Sequence, residues 1–250
     1  MMTPVLAFDI ETIPDVEGIR RLHDLPADLP EREVAEVAFQ KRRTQTGSDF
    51  LPPPLQRVAV VSCVLRSDDG IRVFSLEGEE RDLIQRFYDG LAKFVPQLVS
   101  WNGGGFDLPV LNYRGLILGV NAERFWEPER NNYYNRYQDR HLDLMDVLAM
   151  YQPRNNAALD DVAQLAGLPG KIGVGGAKVW ETWLAGGKDA IRDYCEVDTV
   201  NTYLLYLRFQ HLRGVHSREI LAKEEALLRA YLKTQNKPHW AEFLKLWKAA

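Results

Sequence analysis

The stretch VLAFDIETIP, Val5 to Pro14, carries Asp9 and Glu11 at the end of a continuous apolar run. Side chains alternate across a strand, so the two carboxylates share a side, about 6 to 7 Å apart along the backbone. Like charges held that close repel unless solvent, protons or cations relieve them. WNGGGFDLPVL adds Asp107 between a strand, QLVSWN, and a helix starting near Leu108. Asp is a good N-cap and Pro109 is tolerated in a first turn, so capping accounts for Asp107 as well as ligation does. Gly103, Gly104 and Gly105 exceed what a cap needs and admit close approach of another backbone or a ligand. DAIRDYCEVDTVN places Tyr194 and Asp198 four apart on one helix face, with Ile191, Cys195 and Leu205. Arg192 and Arg208 fall on other faces, so an inward Asp198 needs a metal or a distant strand as its partner.

These residues need rigid elements behind them. The run before Asp9 reads as a strand buried on both faces. A polar excursion follows over residues 15–56, with a helix expected over 31–41 and the Pro-rich exit FLPPPLQ. RVAVVSCVL and IRVFSL read as a hairpin around RSDDG, where Asp-Gly supplies positive backbone angles. A helix over EERDLIQRFYDGLAKFV, the strand QLVSWN and a strand at HLDLMDVLA come next. A helical hairpin over residues 159–184, a long helix over 189–211 and a C-terminal segment helical throughout complete the chain. A strand hairpin followed by alternating helices and strands implies a mixed α/β sheet, first strand central, helices on both faces.

Composition narrows the classes. The 250 residues are 46% hydrophobic, enough for a substantial core. Cys63 and Cys195 form no C-x-x-C pair, which argues against a disulfide scaffold or structural zinc and for two small apolar residues in a reducing compartment. No apolar run nears the roughly 20 residues that span a bilayer, and no signal-peptide pattern is visible, so a soluble cytoplasmic protein is expected. The net charge of −4 argues against a broad basic surface for duplex DNA. Residues 205–250 nonetheless carry +5 and the preceding part −9, a polarity that either steers a polyanion or reflects a solvated helix face. GKIGVGGAK and AGGKD complete neither a G-x-G-x-x-G fingerprint nor a P-loop, so no nucleotide cofactor is expected.

DIE, NGGGFD and YCEVD, in that order, resemble the three motifs of the DEDD exonuclease superfamily of ribonuclease H-like fold. Those motifs are D-x-E on the opening strand, an Asp after N-x-x-x-F/Y, and Y-x-x-x-D on a helix. The tyrosine form is similar to the branch that includes the proofreading domains of family-B DNA polymerases. FLPPPLQRVAVVS and HLDLMDVL also resemble the stand-alone predicted exonucleases related to those domains, and the likeness runs from residue 5 to about 206.

The resemblance implies an α/β fold with a ribonuclease H-like, five-stranded mixed sheet, its second strand antiparallel. Residues 1–213 would form the exonuclease domain and 214–250 a helical extension packed on it. It further implies metal-dependent removal of nucleoside 5′-monophosphates from a free 3′ end of single-stranded DNA, or less readily RNA. Two ions, Mg²⁺ or Mn²⁺, would serve. Asp9 would bridge both; Glu11 and Asp198 would complete the nucleophile side; Asp107 would hold the second ion directly or through water. Tyr194 would orient the attacking water or help deprotonate it. Ile10, Thr12, Asn102 and Phe106 would meet the substrate, with a core role for Phe106 and a turn-satisfying role for Asn102 as the alternatives. A non-catalytic nucleic-acid-binding scaffold of the same fold, or a structure-specific endonuclease, are the rival readings. Neither a pathway, such as DNA repair, nor a polymerase partner is named by the likeness.

Residues 124–141 interleave arginines with Phe125, Trp126, Tyr133, Tyr134 and Tyr137. Aromatic rings stack on unpaired bases and guanidinium groups pair with phosphates, so Arg136 and Tyr137 are candidate strand contacts; a packed loop is the alternative. QKRRTQTGSDF, in the excursion, is a second approach to substrate. His141 and Asp143 are expected to be core support, and His211, His216 and His239 surface residues.

Overall fold

In the computed structural model, which describes residues 2–128, 132–173 and 175–248, the apolar run forms β1 (Val5–Pro14). Its alternation feeds two cores: Val5 and Ala7 enter one, Leu6, Phe8 and Ile10 the other. The excursion folds into two helices. In α1 (Val16–His23), Asp15 accepts the Gly18 N–H at 3.1 Å, and α2 (Glu31–Thr46) ends at Gly47, φ +78°. The sequence suggested only the second, because α1 buries one side chain, Ile19, too little to show a period.

β2 (Gln56–Ser67) and β3 (Gly70–Leu76) make the expected hairpin, but Ser67 pairs with Gly70, so Asp68 and Asp69 are the central turn residues. The positive φ falls on Gly70 alone, +118°. α3 (Glu80–Phe94) buries Leu83, Ile84, Phe87, Tyr88 and Leu91 along one stripe. β4 (Gln97–Ser100), α4 (Asp107–Leu118) and α5 (Glu123–Trp126) follow. The strand expected at HLDLMDVLA is only β5 (His141–Asp143), because Asp143 accepts the Asp146 N–H at 3.4 Å and starts α6 (Leu144–Leu148). The helical hairpin becomes α7 (Leu159–Leu165) and α8 (Val179–Leu184), interrupted where Gly167 and Gly170 adopt φ of +74° and +68°. α9 (Lys188–Leu212) is the long helix expected. The C-terminal segment is split into α10 (Arg218–Thr234) and α11 (Pro238–Leu246), with Asn236 at φ +47° between them.

The sheet order is β3-β2-β1-β4-β5, with β2 antiparallel to β1 and β4 and β5 parallel, so the first strand is central as the ribonuclease H-like expectation requires. One face is covered by α9, whose Val197, Val200, Tyr203 and Leu204 pack on Val5, Ala7, Val64 and Val99. Leu228, Leu232, Trp240, Phe243 and Trp247 of the C-terminal helices join that same core. α3 and α4 cover the other face. His239 is therefore buried rather than on the surface; its Nε2 lies 2.9 Å from Glu196 Oε2, and Lys237 Nζ lies 2.8 Å from Glu196 Oε1. That contact ties the start of α11 to α9.

A second polar knot fixes the excursion. Arg114 on α4, 3% exposed, donates to Glu80 Oε1 at 2.8 Å and Oε2 at 2.6 Å, to Asp15, and to the Pro54 carbonyl at 3.0 Å. Glu80 Oε1 also accepts the Val58 N–H at 2.8 Å. Breaking a buried pair strands the remaining charge, at about 3–5 kcal/mol. Arg114→Met should lower unfolding stability by about that amount, and adding Glu80→Gln should recover part of it, as denaturant titration would show. A single variant within about 0.5 kcal/mol of wild type would deny the knot its role.

Candidate active site

Asp9 and Glu11 continue the Val5 and Ala7 side of β1, where α9 packs, and so lie beside Asp198. Directly beyond them the ladder slips: Glu11 pairs with Val60 and Thr12 with Val58, leaving Ala59 without an opposite residue. Such a bulge bends the strand and ends the run that carries the carboxylates.

Asp107 comes from a different direction. It is the first residue of α4, the cap position belongs to Phe106, and no side chain caps the helix, so the capping role expected for Asp107 is not the one found. The ladder between β1 and β4 ends at Ala7 and Val99. Past that point the Ile10 N–H needs another acceptor, and Asp107 Oδ1 supplies it at 3.1 Å. Asp107 is thereby pinned between Asp9 and Glu11, with its second oxygen uncommitted by that bond.

The glycine turn before it is held by Asp143, whose two oxygens accept the N–H groups of Asn102 and Gly104 at 2.9 Å each. A Cβ on Gly103 would lie 2.4 Å from Ser100 Oγ, and one on Gly105 2.4 Å from Asn102 Oδ1. The glycines therefore make room for the turn's own neighbours rather than for a ligand. Asn102 itself sits at φ +66°. His141 Nε2 lies 2.8 Å from Ser100 Oγ, so His141 and Asp143 are the supports they were expected to be.

Burial and mutual repulsion dominate the electrostatics. Desolvation, then the charges of Asp107, Glu11 and Asp198, push the Asp9 carboxyl far up. Glu11 is raised by burial and by Asp198 and Asp107, with Lys171 pulling the other way. Asp107 is raised to about 7 by burial, against hydrogen bonds from its own N–H and that of Ile10. Asp198 is raised to about 6 by burial, offset by a hydrogen bond with Tyr194 and by Lys171. Burial and the surrounding acids also raise Tyr194, which stays a protonated hydroxyl. Asp198 Oδ1 is buried without a hydrogen-bond partner among the described residues. Four crowded carboxylates and an orphaned oxygen fit hard divalent cations, which take oxygen ligands.

Two neighbours were not anticipated. Lys171 sits on the loop after α7, in GKIGVGG, a segment read only for nucleotide motifs. Its glycine-flanked position was the available signal. Cys195, expected to be only a small apolar residue, places Sγ 3.4 Å from both the Asp9 carbonyl oxygen and Asp9 Oδ2.

Glu11, Ile10, Thr12, Asn102 and Phe106 line one cleft of about 700 Å³, together with Phe39, Arg43 and Phe50 of the excursion and Trp180 of α8. Phe50, 58% exposed, lies 5.2 Å from the Phe106 ring. Thr12 Oγ1 is engaged by Gln56 Oε1 at 2.9 Å. Arg136 instead lines an adjoining cavity of about 610 Å³ with Trp126, Tyr133 and Tyr134; the two meet at Asn102 and Gly105. Its guanidinium lies 2.5 Å from Asp146. Tyr137 lines neither cavity and packs on Tyr151 at 5.1 Å. Arg130 lies outside the described residues.

The raised carboxylates carry a stability consequence. Between about pH 4 and 7 the folded chain keeps protons on Asp107 and Asp198 that the unfolded chain has lost, so stability without metal falls as pH rises through that window. Every tenfold gain in proton affinity on folding is worth about 1.4 kcal/mol. In chelator the Tm should be lower at pH 8 than at pH 5, Mn²⁺ should restore it at pH 8, and Asp107→Asn, which keeps an acceptor for Ile10, should raise it at pH 8. A chelator Tm that climbs from pH 5 to pH 8 would contradict this reading of the site.

Known proteins share these features. The chain is 27% identical over 223 residues to the catalytic polypeptide of DNA polymerase epsilon from Aspergillus fumigatus, covering 83% of this chain and 9% of that one. It is 26% identical over 190 residues to a DNA polymerase of Archaeoglobus fulgidus, covering 71% of this chain and 23% of that one. It thus spans under a quarter of either relative. Its fold is similar to a solved family B DNA polymerase from the hyperthermophilic archaeon Pyrobaculum calidifontis, with TM-score 0.52 and 22% identity over 92% of this chain and 29% of that one. No helix among the described residues is long and apolar enough to cross a membrane. The model for predicted 3′-5′ exonucleases related to the exonuclease domain of PolB matches residues 48–247, and the chain belongs to that family.

Proposed function

We propose that the chain is a metal-dependent exonuclease that removes nucleoside 5′-monophosphates from the 3′ end of single strands, DNA more readily than RNA. The observation that carries this reading is the convergence of Asp107 and Asp198 on the pair Asp9 and Glu11, whose buried carboxyls both feel their charges. Two ions such as Mg²⁺ or Mn²⁺ would there supply an acidified water and relief of charge on the scissile phosphate. Asp9, Glu11 and Asp198 would hold the nucleophile side. Asp107, with one oxygen committed to Ile10, offers its other oxygen to the second position.

Tyr194 orients rather than abstracts. Its hydroxyl lies beside Asp198 and about 4.0 Å from where a Cβ on Gly176, at the cleft wall, would stand. With its one proton held toward Asp198, the hydroxyl oxygen can accept a hydrogen bond from the attacking water and orient it, and does not act as its base. Phe106 and Phe50 present ring faces on which a terminal base can stack. Glu181 of α8, on the cleft wall, accepts from Arg32 of α2 at 2.6 and 2.7 Å, a solvent-exposed pair between the two helices.

Lys171 has a separate role. A cation beside metal-binding carboxylates weakens metal binding, so its benefit lies with the phosphate of the bound strand. Lys171→Ala should leave Mn²⁺ affinity of the free protein equal or tighter while raising KM for oligonucleotides. Weaker Mn²⁺ binding in that variant would refute the assignment.

End-labelled DNA and RNA oligonucleotides, with free or blocked 3′ ends and alongside circular single strands, test the function in Mg²⁺, Mn²⁺ or chelator. Mononucleotide release from free ends alone, lost in chelator, is expected. Cutting of circles would favour the endonuclease, and strand binding without product the scaffold. Asp198→Asn should reduce turnover at least about 10³-fold. Tyr194→Phe should reduce it about 10- to 100-fold, the scale of a misplaced reactant.

A further inference from the structure

Cys195 lies on the floor of the carboxylate centre, where the proposed reaction makes no use of it. One ligand atom each from Asp9, Glu11 and Cys195 fall within 4.8 Å of one another. The Cys195 Sγ to Asp9 Oδ2 distance is 3.4 Å. A tetrahedral zinc with a sulfur at about 2.3 Å and an oxygen at about 2.0 Å separates those two donors by about 3.5 Å. The thiol and the carboxylate thus already stand at the spacing of one edge of such a site. Asp198, three residues from Cys195 on α9 and 7% exposed, has its Oδ1 buried with no hydrogen-bond partner among the described residues, and its charge acts on both Asp9 and Glu11.

We infer that Asp9, Glu11 and Cys195 form a mixed sulfur–oxygen site for a thiophilic divalent cation, Zn²⁺ or Cd²⁺, which competes with the hard ion for the same carboxylates. Hard ions take oxygen and leave the thiol hydrogen-bonded to Asp9, whereas softer ions select thiolate. Binding forms a metal–sulfur bond, releases the thiol proton to solvent and changes no oxidation state. The inference rests on the carboxylate centre described above and adds to it a donor that a metal-dependent nuclease does not require.

Among the described residues a second group of potential ligands, Asp193, Glu196 and His239, behaves differently. Glu196 receives Lys237 Nζ at 2.8 and 2.9 Å and the Ser75 hydroxyl at 3.0 Å, so an ammonium already stands where a cation would bind. Cys63 offers a control within the same chain. On β2 it pairs with Phe8 of β1 and packs in the core on the opposite face of the sheet from Cys195.

The test is Cd²⁺ titration of metal-free protein, followed by the ultraviolet thiolate-to-cadmium charge-transfer band and by calorimetry. Wild type and Cys63→Ser should each develop one band saturating at one equivalent. Cys195→Ser and Cys195→Ala should show none, and should bind Cd²⁺ at least about tenfold more weakly. Mn²⁺ binding, which uses oxygen donors alone, should persist in both Cys195 variants and reports that they are folded. A band that survives in the folded Cys195 variants, or Cd²⁺ heat without a band in wild type, overturns the inference and leaves the nuclease reading standing. Absence of heat from Cd²⁺ and Mn²⁺ alike would overturn both.

Discussion

Like charges do not gather in a buried pocket unless something holds them there, and here the holding is done by elements that differ in direction. β1 brings Asp9 and Glu11 on its α9-facing side, α4 brings Asp107 through a bond to the Ile10 N–H, and α9 brings Asp198. Each element is anchored by apolar burial away from the centre, so repulsion between the carboxylates cannot simply push them apart. It is expressed instead in their proton affinities, raised for all four. On the proposed reading, cations bound among these acids would relieve that repulsion and so stabilise the folded chain.

The surrounding structure reads as bracing for that centre. Asp143 at the end of β5 holds the glycine turn, and the turn sets the start of α4, on which Asp107 is the first residue. Arg114, two turns further along α4, gathers Glu80, Asp15 and Pro54, and thereby joins α4, α3 and both ends of the excursion. The excursion in turn supplies Phe39, Arg43 and Phe50 to the cleft wall. A buried ion pair of this kind is weak evidence for added stability, but its loss leaves an unpaired charge beside the site. Positioning therefore passes from buried polar knots, through short elements, to the acids.

Much of the site was legible because its motifs are local. D-x-E on an apolar run, Asp after a glycine turn, and Y-x-x-x-D on a helix each follow from alternation or from 3.6-residue periodicity. Elements with long apolar patterns, β1, α3 and α9, were equally readable. Short ones were not: α1 buries a single residue, and β5 gives way to helix after three residues because Asp143 both ends one element and caps the next. His239 looked like a surface residue because nothing nearby in sequence shows that Glu196, 43 positions earlier, will meet it.

The sequence by itself determined the candidate acids, the tyrosine that accompanies them and the longer elements that carry them, since these depend on spacing within one element. Only the tertiary structure decided that Asp107 binds the Ile10 N–H rather than capping its own helix, that the Lys171 charge acts on Glu11 and Asp198, and that the Cys195 thiol faces Asp9. Arg136 and Tyr137 were separated in the same way, one into a cavity beside the cleft and the other outside it. The physical reason is the same throughout. Periodicity tells which face of an element a residue occupies, whereas the partner across from that face is chosen by how whole layers pack.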